Sequence, residues 1–269
     1  MIDIANPSGV NRLPLPLSLP SQGGETARIP SLAVGGSWES HTSEGAHELK
    51  FVIDDALAAT IREWARDRLL PDPHAGEEGY RVSTLYLDTP QLDVFRQTEI
   101  GRAGKYRVRR YGAEEIVWLE RKSKIEGRVH KQRVSTPDGD IETAVRMQGD
   151  DGGWFRKHVE DLRLRPVCQV TYDRFARIGQ TPVGPVRMTL DSRLCGGSTS
   201  AWSVPHGALV TGELLDRRNV LELKFRTTVP ALFKDLIQDL RLPIGRFSKY
   251  RETVRRTRNE AAAFERPEK

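Results

Sequence analysis

The stretch 105-KYRVRRYGAEEIVWLERKSK-124 decides how this chain is expected to fold. It predicts two strands joined by a turn at the glycine, because each half alternates between charged and apolar residues. Successive side chains of a strand point to opposite faces. Arg107 and Arg109 therefore share one face of the first strand, and Glu120 and Lys122 share one face of the second. The apolar neighbours point the other way, so charge collects on one side of the predicted hairpin.

The same alternation recurs in other predicted strands. An ordinary wet sheet face is the alternative explanation, and it is common in antiparallel proteins, but such faces carry more Thr, Ser and Gln. Like charges on adjacent strands repel each other, and the few glutamates cannot neutralise all the cations. A bound polyanion could do so. The recurring faces carry Glu48 and Lys50, Lys131 and Arg133, Tyr172 and Arg174, Arg187, Thr189 and Asp191, and Glu222 and Lys224.

Composition agrees with an anionic partner. The chain has 269 residues, of which 38% are hydrophobic and 29% charged, which suits a globular domain with long polar segments. The formal net charge is +5 and the pI is about 9.3, a balance that favours anions without identifying one. Between residues 101 and 133, eleven Lys and Arg residues are offset by four acidic residues. The positive charge is therefore concentrated in one region of the fold.

Several classes of protein are disfavoured. No run of eighteen apolar residues is present, which argues against a spanning helix, and the first residues lack the pattern of a signal peptide. Cys168 and Cys195 make neither a disulfide scaffold nor a metal knuckle. We therefore expect a cytoplasmic protein. The sequence contains no GxxxxGK[ST] phosphate loop. His47 and His130 are expected to point away from the charged face.

The chain is predicted to hold one folded domain between two tails. Residues 1–45, rich in Pro, Ser and Gly, are expected to be a disordered N-terminal tail. Residues 46–252 are expected to form the domain, and residues 253–269 a charged helical tail. Asp54 or Asp55 should cap a helix that runs to about Leu70, and further helices are predicted at 90–98, 141–148, 154–162 and 231–240. The predicted strands are 47–53, 81–87, 105–111, 116–121, 128–135, 167–178, 186–194 and 219–225.

These elements predict an α+β protein. Consecutive strands with short turns pair antiparallel, and about eight of them can close into a β-barrel with the charged face inside and short α-helices outside. Such a barrel encloses about one extended small ligand. Arginine suits phosphate oxygens because its donors form a fork, whereas lysine supplies a point charge. No aromatic residues are seen interleaved as base-stacking platforms among the clustered charges, which disfavours a groove for single-stranded nucleic acid.

In this order, the strand motifs resemble those of the triphosphate tunnel metalloenzymes, a CYTH-like superfamily, and within it the VTC (vacuolar transporter chaperone) polyphosphate polymerase domain. The resemblance covers residues 47–251. The motifs that carry it are Glu48-Leu49-Lys50, the run from Ser83 to Thr89, the run from Tyr106 to Gly112, Leu119-Glu120-Arg121-Lys122, Lys131-Gln132-Arg133, Tyr172-Asp173-Arg174, the run from Arg187 to Asp191, Leu221-Glu222-Leu223-Lys224, and Phe247-Ser248-Lys249-Tyr250.

The resemblance implies a tunnel that binds a nucleotide triphosphate or polyphosphate with Mn²⁺ or Mg²⁺. It implies catalytic roles for Arg107, Arg109, Lys122, Lys131, Arg174 and Arg187. It implies phosphate binding by Lys50, Arg133, Lys224, Arg246 and Lys249. It implies metal binding by Glu222, with Glu48 and Glu120 as further candidates. Asp88 is expected to cap the following helix instead of binding metal.

Two positions depart from the pattern. The triphosphatase branch opens with Glu-x-Glu-x-Lys, and here Ala46 stands at the first of these positions, which favours the polymerase-like branch. Arg246 stands where a lysine is expected, so the charge is kept.

The resemblance implies an ATP-dependent polyphosphate polymerase, with ATP and polyphosphate as partners and no nucleic acid. A membrane protein that exports the product is a candidate partner, and the oligomeric state is left open. Two alternatives remain at this stage. One is a triphosphatase or nucleotide hydrolase of the same fold, and the other is a non-catalytic module that binds polyphosphate.

Overall fold

A computed structural model describes residues 40–102, 104–126, 128–139, 141–146, 153–209, 218–243 and 245–264. These residues form an α+β fold built on antiparallel strands, as predicted. In chain order the elements are β1 (Ser40–Ile53), α1 (Asp55–Arg68), β2 (Leu70–Pro71), β3 (Tyr80–Asp88), α2 (Asp93–Arg96), α3 (Glu99–Arg102), β4 (Lys105–Tyr111), β5 (Ile116–Ile125), β6 (Arg128–Pro137), α4 (Ile141–Arg146), α5 (Gly153–Asp161), β7 (Arg165–Thr181), β8 (Gly184–Ser198), β9 (Asn219–Phe225), α6 (Ala231–Asp239) and α7 (Lys249–Phe264).

Antiparallel pairing links eight strands into a continuous circuit. The sheet order is β2-β7-β3-β4-β5-β6-β1-β9-β8, and β7 also pairs with β8 over most of both strands. The circuit changes partner within one strand, because β1 pairs with β6 through residues 40–46 and with β9 through residues 47–53. Beside the second half of β1, the Gly245 amide donates to the Lys50 carbonyl at 2.9 Å. The described strands thus form the antiparallel, tunnel-like arrangement predicted from the sequence, but the barrel is not fully closed, because a loop and not a strand lies against part of β1.

The hairpin of β4 and β5 has the register that alternation predicts. Arg107 lies opposite Glu120 on the neighbouring strand, and Glu120 in turn lies opposite Arg133 on β6. Lys122 lies opposite Lys131 across the same pair of strands. Charged residues of three consecutive strands therefore lie side by side on one face of the sheet.

The other face of the sheet is apolar and is covered by helices. One cluster packs Phe51, Met188 and Leu221 of the strands against residues of α1 and α6 such as Ile61 and Phe233. Burial of this kind provides the main driving force for folding. The helices thus hold the charged face towards the inside of the barrel.

A second apolar cluster lies on the opposite side of the barrel. Val108, Leu119 and Val134 of β4, β5 and β6 pack there against Val145 of α4 and Phe155 of α5. The predicted arrangement, with an apolar exterior under helices, is confirmed on both sides.

One end of the interior differs from the prediction, because it is apolar and not charged. Tyr86, Val170 and Val220 point into the barrel there and pack against Tyr250 and Val254 of α7. Alternation alone does not show which stretch of an inward face a helix will cover. The cationic interior therefore occupies part of the barrel length, and α7 closes the rest.

Several boundaries also differ from the prediction. β1 begins at Ser40, inside the range predicted as a tail, and only residues 1–39 of that range lie outside the described residues. The predicted boundary at residue 252 falls within α7, whose Val254 is buried. β2 was not predicted, since two residues are too few to show alternation. α4 ends at Arg146, and residues 147 and 148 of its predicted range lie outside the description.

Local capping explains where two helices begin. The Asp54 carboxylate accepts a hydrogen bond from the Leu57 amide at 2.8 Å at the start of α1, as predicted. The Asp88 carboxylate accepts from the amides of Val94 at 2.9 Å and Phe95 at 3.0 Å at the start of α2. The predicted capping role of Asp88 is therefore confirmed. The single helix predicted at 90–98 is instead split into α2 and α3, with Gln97 between them in the left-handed region at φ 58°.

Among the helices of the described residues, none combines the length and apolar character that crossing a lipid bilayer requires.

Candidate active site

The candidate site is the charged part of the barrel interior, to which seven strands and α7 contribute. Strand alternation brings the predicted residues of β1, β4, β5, β6, β8 and β9 to the inner face, and β7 adds Arg174. From α7, Lys249 enters the same space. Of the predicted site residues, Arg246 is the exception, because it is exposed in the segment before α7.

Glu120 is the centre of one cluster of charges. Its carboxylate is fully buried and lies 2.7 Å from Arg107 Nε and 2.5 Å from Lys131 Nζ. Arg109 Nη1 lies 3.7 Å away, and the Tyr111 hydroxyl donates to the same carboxylate at 3.1 Å. Both carboxylate oxygens of Glu120 are thus engaged by side chains of β4 and β6.

Glu48 and Glu222 form a second cluster with three lysines. Lys50 Nζ lies between them, 2.8 Å from a Glu48 oxygen and 3.2 Å from a Glu222 oxygen. Lys122 contacts Glu48 at 3.0 Å, and Lys224 contacts Glu222 at 3.4 Å. The register of β1 with β9 explains the arrangement, because Lys50 is opposite Glu222 and Glu48 is opposite Lys224.

Asp191 organises the third cluster. Arg174 donates to its two oxygens at 2.7 and 2.8 Å, a bidentate pair. Lys249 Nζ of α7 donates to it at 2.6 Å. Asp191 was not among the predicted site residues, although its alternation with Arg187 and Thr189 placed it on the charged face.

Two further cations contact groups outside these three clusters. Arg187 Nε donates to Asp72 at 2.7 Å, and no sequence pattern identified Asp72, which lies in a loop. Lys105 Nζ donates to the Ser248 hydroxyl at 3.0 Å. Lys105 was also missed, although its alternation with Arg107 was a usable signal.

Aromatic rings occur among the charges, where they contact cations of the site. The Arg133 guanidinium lies 4.2 Å from the Trp118 ring centroid, and Lys249 Nζ lies 4.6 Å from that of Tyr172. Such contacts hold a cation over an aromatic face. Trp118 shares the parity of the charged residues in its strand, a signal that the sequence reasoning passed over, whereas Tyr172 was already placed on the charged face with Arg174.

The carboxylates of the site are ionised because cations surround them. Burial and the nearby Glu222 carboxylate act to raise the pKa of Glu48, but the lysines around it prevail and lower that pKa to about 2. Burial also opposes ionisation of Glu222 and Glu120, yet the neighbouring lysines and arginines hold the pKa of each well below its usual value. These side chains are therefore anions at neutral pH.

Two lysines have a pKa below that of an ordinary lysine. Burial and the positive charge of Lys50 lower the pKa of Lys122 to about 7, although Glu48 is nearby. Burial, followed by the charges of Lys50 and Arg107, lowers the pKa of Lys105 to about 8. An anion between these lysines would favour their charged form. The interior is therefore suited to receive more negative charge than it now holds.

The carboxylates of the site do not form a ready-made metal cage. In the ranges given above, no three or more His, Cys, Asp or Glu side chains cluster in a way that could hold a metal ion. Glu48 and Glu222, which share Lys50, are the pair best placed to provide oxygen ligands. His47 stacks on Phe225 of the outer apolar face at 5.6 Å between ring centroids, as its predicted outward direction implies.

Comparison with known proteins identifies one matching family and several solved structures of low sequence identity. A family model described as the VTC domain matches residues 45–258. No curated protein sequence matches the chain.

Among solved structures, a candidate adenylate cyclase from Bacillus halodurans is 10% identical with a TM-score of 0.49, covering 76% of this chain and 94% of that one. A candidate adenylyl cyclase from Hippeastrum, described as having a dominant triphosphatase activity, is 15% identical with a TM-score of 0.44, covering 81% and 96%. The PH1819 protein from Pyrococcus horikoshii is 17% identical with a TM-score of 0.43, covering 80% and 98%. These likenesses are too distant to bear on activity.

Proposed function

Because the chain belongs to the VTC domain family, we propose that it is a polyphosphate polymerase, a metal-dependent enzyme that transfers the γ-phosphate of ATP to a growing polyphosphate chain inside its barrel. Phosphoryl transfer depends mainly on positioning and on neutralising charge. The described interior offers both, since its cations come from rigid strands and are fixed by carboxylates.

The observation that supports the proposal most directly is the excess of inward cations over carboxylates. Glu48, Glu120, Asp191 and Glu222 each contact at least two cations, and Asp72 contacts Arg187, so the cations outnumber the carboxylates they pair with. A chain of phosphates supplies the missing negative charge along a line, as the barrel geometry requires. The inward cations are Lys50, Lys105, Arg107, Arg109, Lys122, Lys131, Arg133, Arg174, Arg187, Lys224 and Lys249, against the carboxylates of Glu48, Asp72, Glu120, Asp191 and Glu222.

In this mechanism the arginines bind and orient the transferring phosphate. Arg107 and Arg109 approach it from β4 and Arg174 from β7, each offering a fork of N–H donors that matches phosphate oxygens. The terminal phosphate of the growing chain is the nucleophile and is already an anion. It therefore needs no general base, and the lysines serve to hold its charge.

Glu48 and Glu222 fit the divalent ion that the family resemblance implies. Both are ionised, both offer oxygen ligands, and Mg²⁺ is commonly held by one or two carboxylates together with substrate phosphates. Mn²⁺ or Mg²⁺ bound there would neutralise charge on phosphate oxygens. Glu120 fits this role less well, because Arg107, Lys131 and Tyr111 already engage its oxygens. We assign Glu120 to positioning those groups.

The decisive experiment incubates the protein with ATP and Mn²⁺ and separates the products by length. Long polyphosphate chains support the polymerase. Free phosphate without chains would instead identify a hydrolase, and binding of polyphosphate without any turnover would identify a non-catalytic module.

Two variants connect the activity to the barrel interior. Arg107→Ala should reduce turnover by about 10²–10³-fold, as loss of a preorganised donor does in other enzymes. The fold should be maintained, because Glu120 keeps its ion pair with Lys131.

Glu222→Gln should abolish turnover and leave polyphosphate binding largely intact. Arg146→Ala is a matched control, since this arginine is exposed on α4 and pairs with Glu142.

A further inference from the structure

Three lysines occupy the oxygens that a divalent ion would need. Lys122 lies 3.0 Å from Glu48, Lys224 lies 3.4 Å from Glu222, and Lys50 contacts both carboxylates. An ammonium group and a metal ion compete for the same negative charge, so these contacts disfavour metal binding to the free protein.

Lys50 differs from the other two lysines because it bridges the carboxylates. Its Nζ lies 2.8 Å from Glu48 and 3.2 Å from Glu222, so it lies where a shared cation would lie. Removing Lys50 would leave Glu48 with Lys122 and Glu222 with Lys224. The two carboxylates would then remain partly compensated and free to share another cation.

An unpartnered hydroxyl beside Glu222 points to the same place. Thr189 is opposite Glu222 in the register of β8 with β9, and its side chain is fully buried. In the described structure its Oγ1 has no hydrogen-bond partner. Buried hydroxyls normally have one, so this oxygen is available to a phosphate or to the hydration shell of a metal ion.

We propose that Lys50 occupies the metal position of the free protein, and that a divalent ion binds between Glu48 and Glu222 only after phosphate has drawn the lysines away. The inference rests on the metal dependence in the proposed function and adds an order to it: phosphate first, metal second. Phosphate oxygens offer the lysines a stronger and more flexible partner, and the carboxylates released by that exchange bind the metal.

The test measures Mn²⁺ binding without ATP, using the electron paramagnetic resonance signal of free Mn²⁺. Wild type, Lys50→Met and Lys131→Met are titrated in the absence of phosphate. Lys50→Met should bind Mn²⁺ at least tenfold more tightly than wild type. Lys131→Met is the matched control, because its lysine contacts Glu120 instead, and it should bind like wild type. Adding Glu222→Gln to Lys50→Met should remove the gain.

A second titration uses sulfate, an anion shaped like phosphate that complexes Mn²⁺ only weakly. Sulfate should tighten Mn²⁺ binding to wild type and have little effect on Lys50→Met. Equal affinity of wild type and Lys50→Met, or no effect of sulfate on wild type, would overturn the proposal. Thermal unfolding of each variant checks that it is folded, and Lys50→Gln replaces Lys50→Met if the latter is not.

The outcome is separable from that of the polymerase assay. A gain in Lys50→Met together with no polyphosphate synthesis would refute the polymerase assignment and leave the role of Lys50 standing. Polyphosphate synthesis without the gain in Mn²⁺ affinity would support the polymerase assignment and refute the role of Lys50.

Discussion

Glu120 shows how one residue can organise a cationic interior. It is fully buried, and its partners Arg107 and Lys131 come from the strands on either side of it. Arginines and lysines this close would repel each other without it. The carboxylate therefore offsets part of this repulsion in the free protein.

Glu120→Gln should lower the free energy of unfolding by about 3–5 kcal/mol, the usual cost of removing one partner from a buried charge cluster. Urea denaturation measures this. Tripolyphosphate should restore part of the loss, because it supplies the missing negative charge. Glu142→Gln, which affects an exposed pair on α4, should change stability by less than about 1 kcal/mol. A Glu120→Gln protein as stable as wild type would show that repulsion among the neighbouring arginines and lysine does not need the Glu120 carboxylate to offset it.

Lys105 should make ligand binding depend on pH. Its pKa is about 8 in the free protein because of burial and neighbouring cations, and a bound polyanion would raise that pKa. Affinity for tripolyphosphate should therefore fall as pH rises above 8, by up to about tenfold per unit for this group. Calorimetric titration from pH 7 to 10 measures the decline. Lys105→Arg, which stays protonated, should lose the part of the decline that Lys105 causes.

The stability of the free protein should change with pH in the opposite direction. The folded pKa of Lys105 lies below its ordinary value of 10.5, so the unfolded chain binds more protons between pH 8 and 10.5. This contribution to stability therefore increases as pH rises through that window. Stability that falls there in wild type but not in Lys105→Arg would contradict the assignment.

At the scale of elements, alternation was sufficient to predict the eight longer strands, though not β2, and the charged face that recurs in them. β4 and β9 were predicted at both ends, because each is a short run with unbroken alternation. Inward direction followed for Lys50, Arg107 and Glu222. The contacts of Asp72 and the closure of one barrel end by α7 could not be predicted, because they depend on residues distant in sequence meeting after the barrel has formed.

The anchoring of α7 is one such contact, and it can be tested. The Tyr250 hydroxyl donates to the buried Asp88 carboxylate, which also accepts from backbone amides of α2. Tyr250→Phe should cost about 1.5–3 kcal/mol, the value of a hydrogen bond to a charged group, as measured by urea denaturation. Arg255→Ala, on the exposed side of α7, should cost little. Equal stability of Tyr250→Phe and wild type would mean that packing alone holds the helix.

At the scale of the whole molecule, excess interior charge should make stability depend on ligands. Tripolyphosphate at about one hundred times its dissociation constant should stabilise the fold by about 2.7 kcal/mol. For a domain of this size that corresponds to a rise in Tm of about 5–10 °C. Raising the salt concentration should reduce the rise, because salt screens the interaction. Scanning calorimetry with tripolyphosphate and with citrate shows whether the stabilisation is specific for a phosphate chain. An equal rise in Tm with citrate would show that any polyanion suffices.

The change of partner along β1 has a mechanical consequence. Where β1 leaves β6, the wall is joined by a loop contact from Gly245 to Lys50 and not by a ladder of strand bonds. Among the described residues, fewer backbone hydrogen bonds cross this seam than join the paired strands, and it lies beside Lys50. A polymer longer than the barrel could then be laid in from the side, and the molecule would not have to thread it from an end.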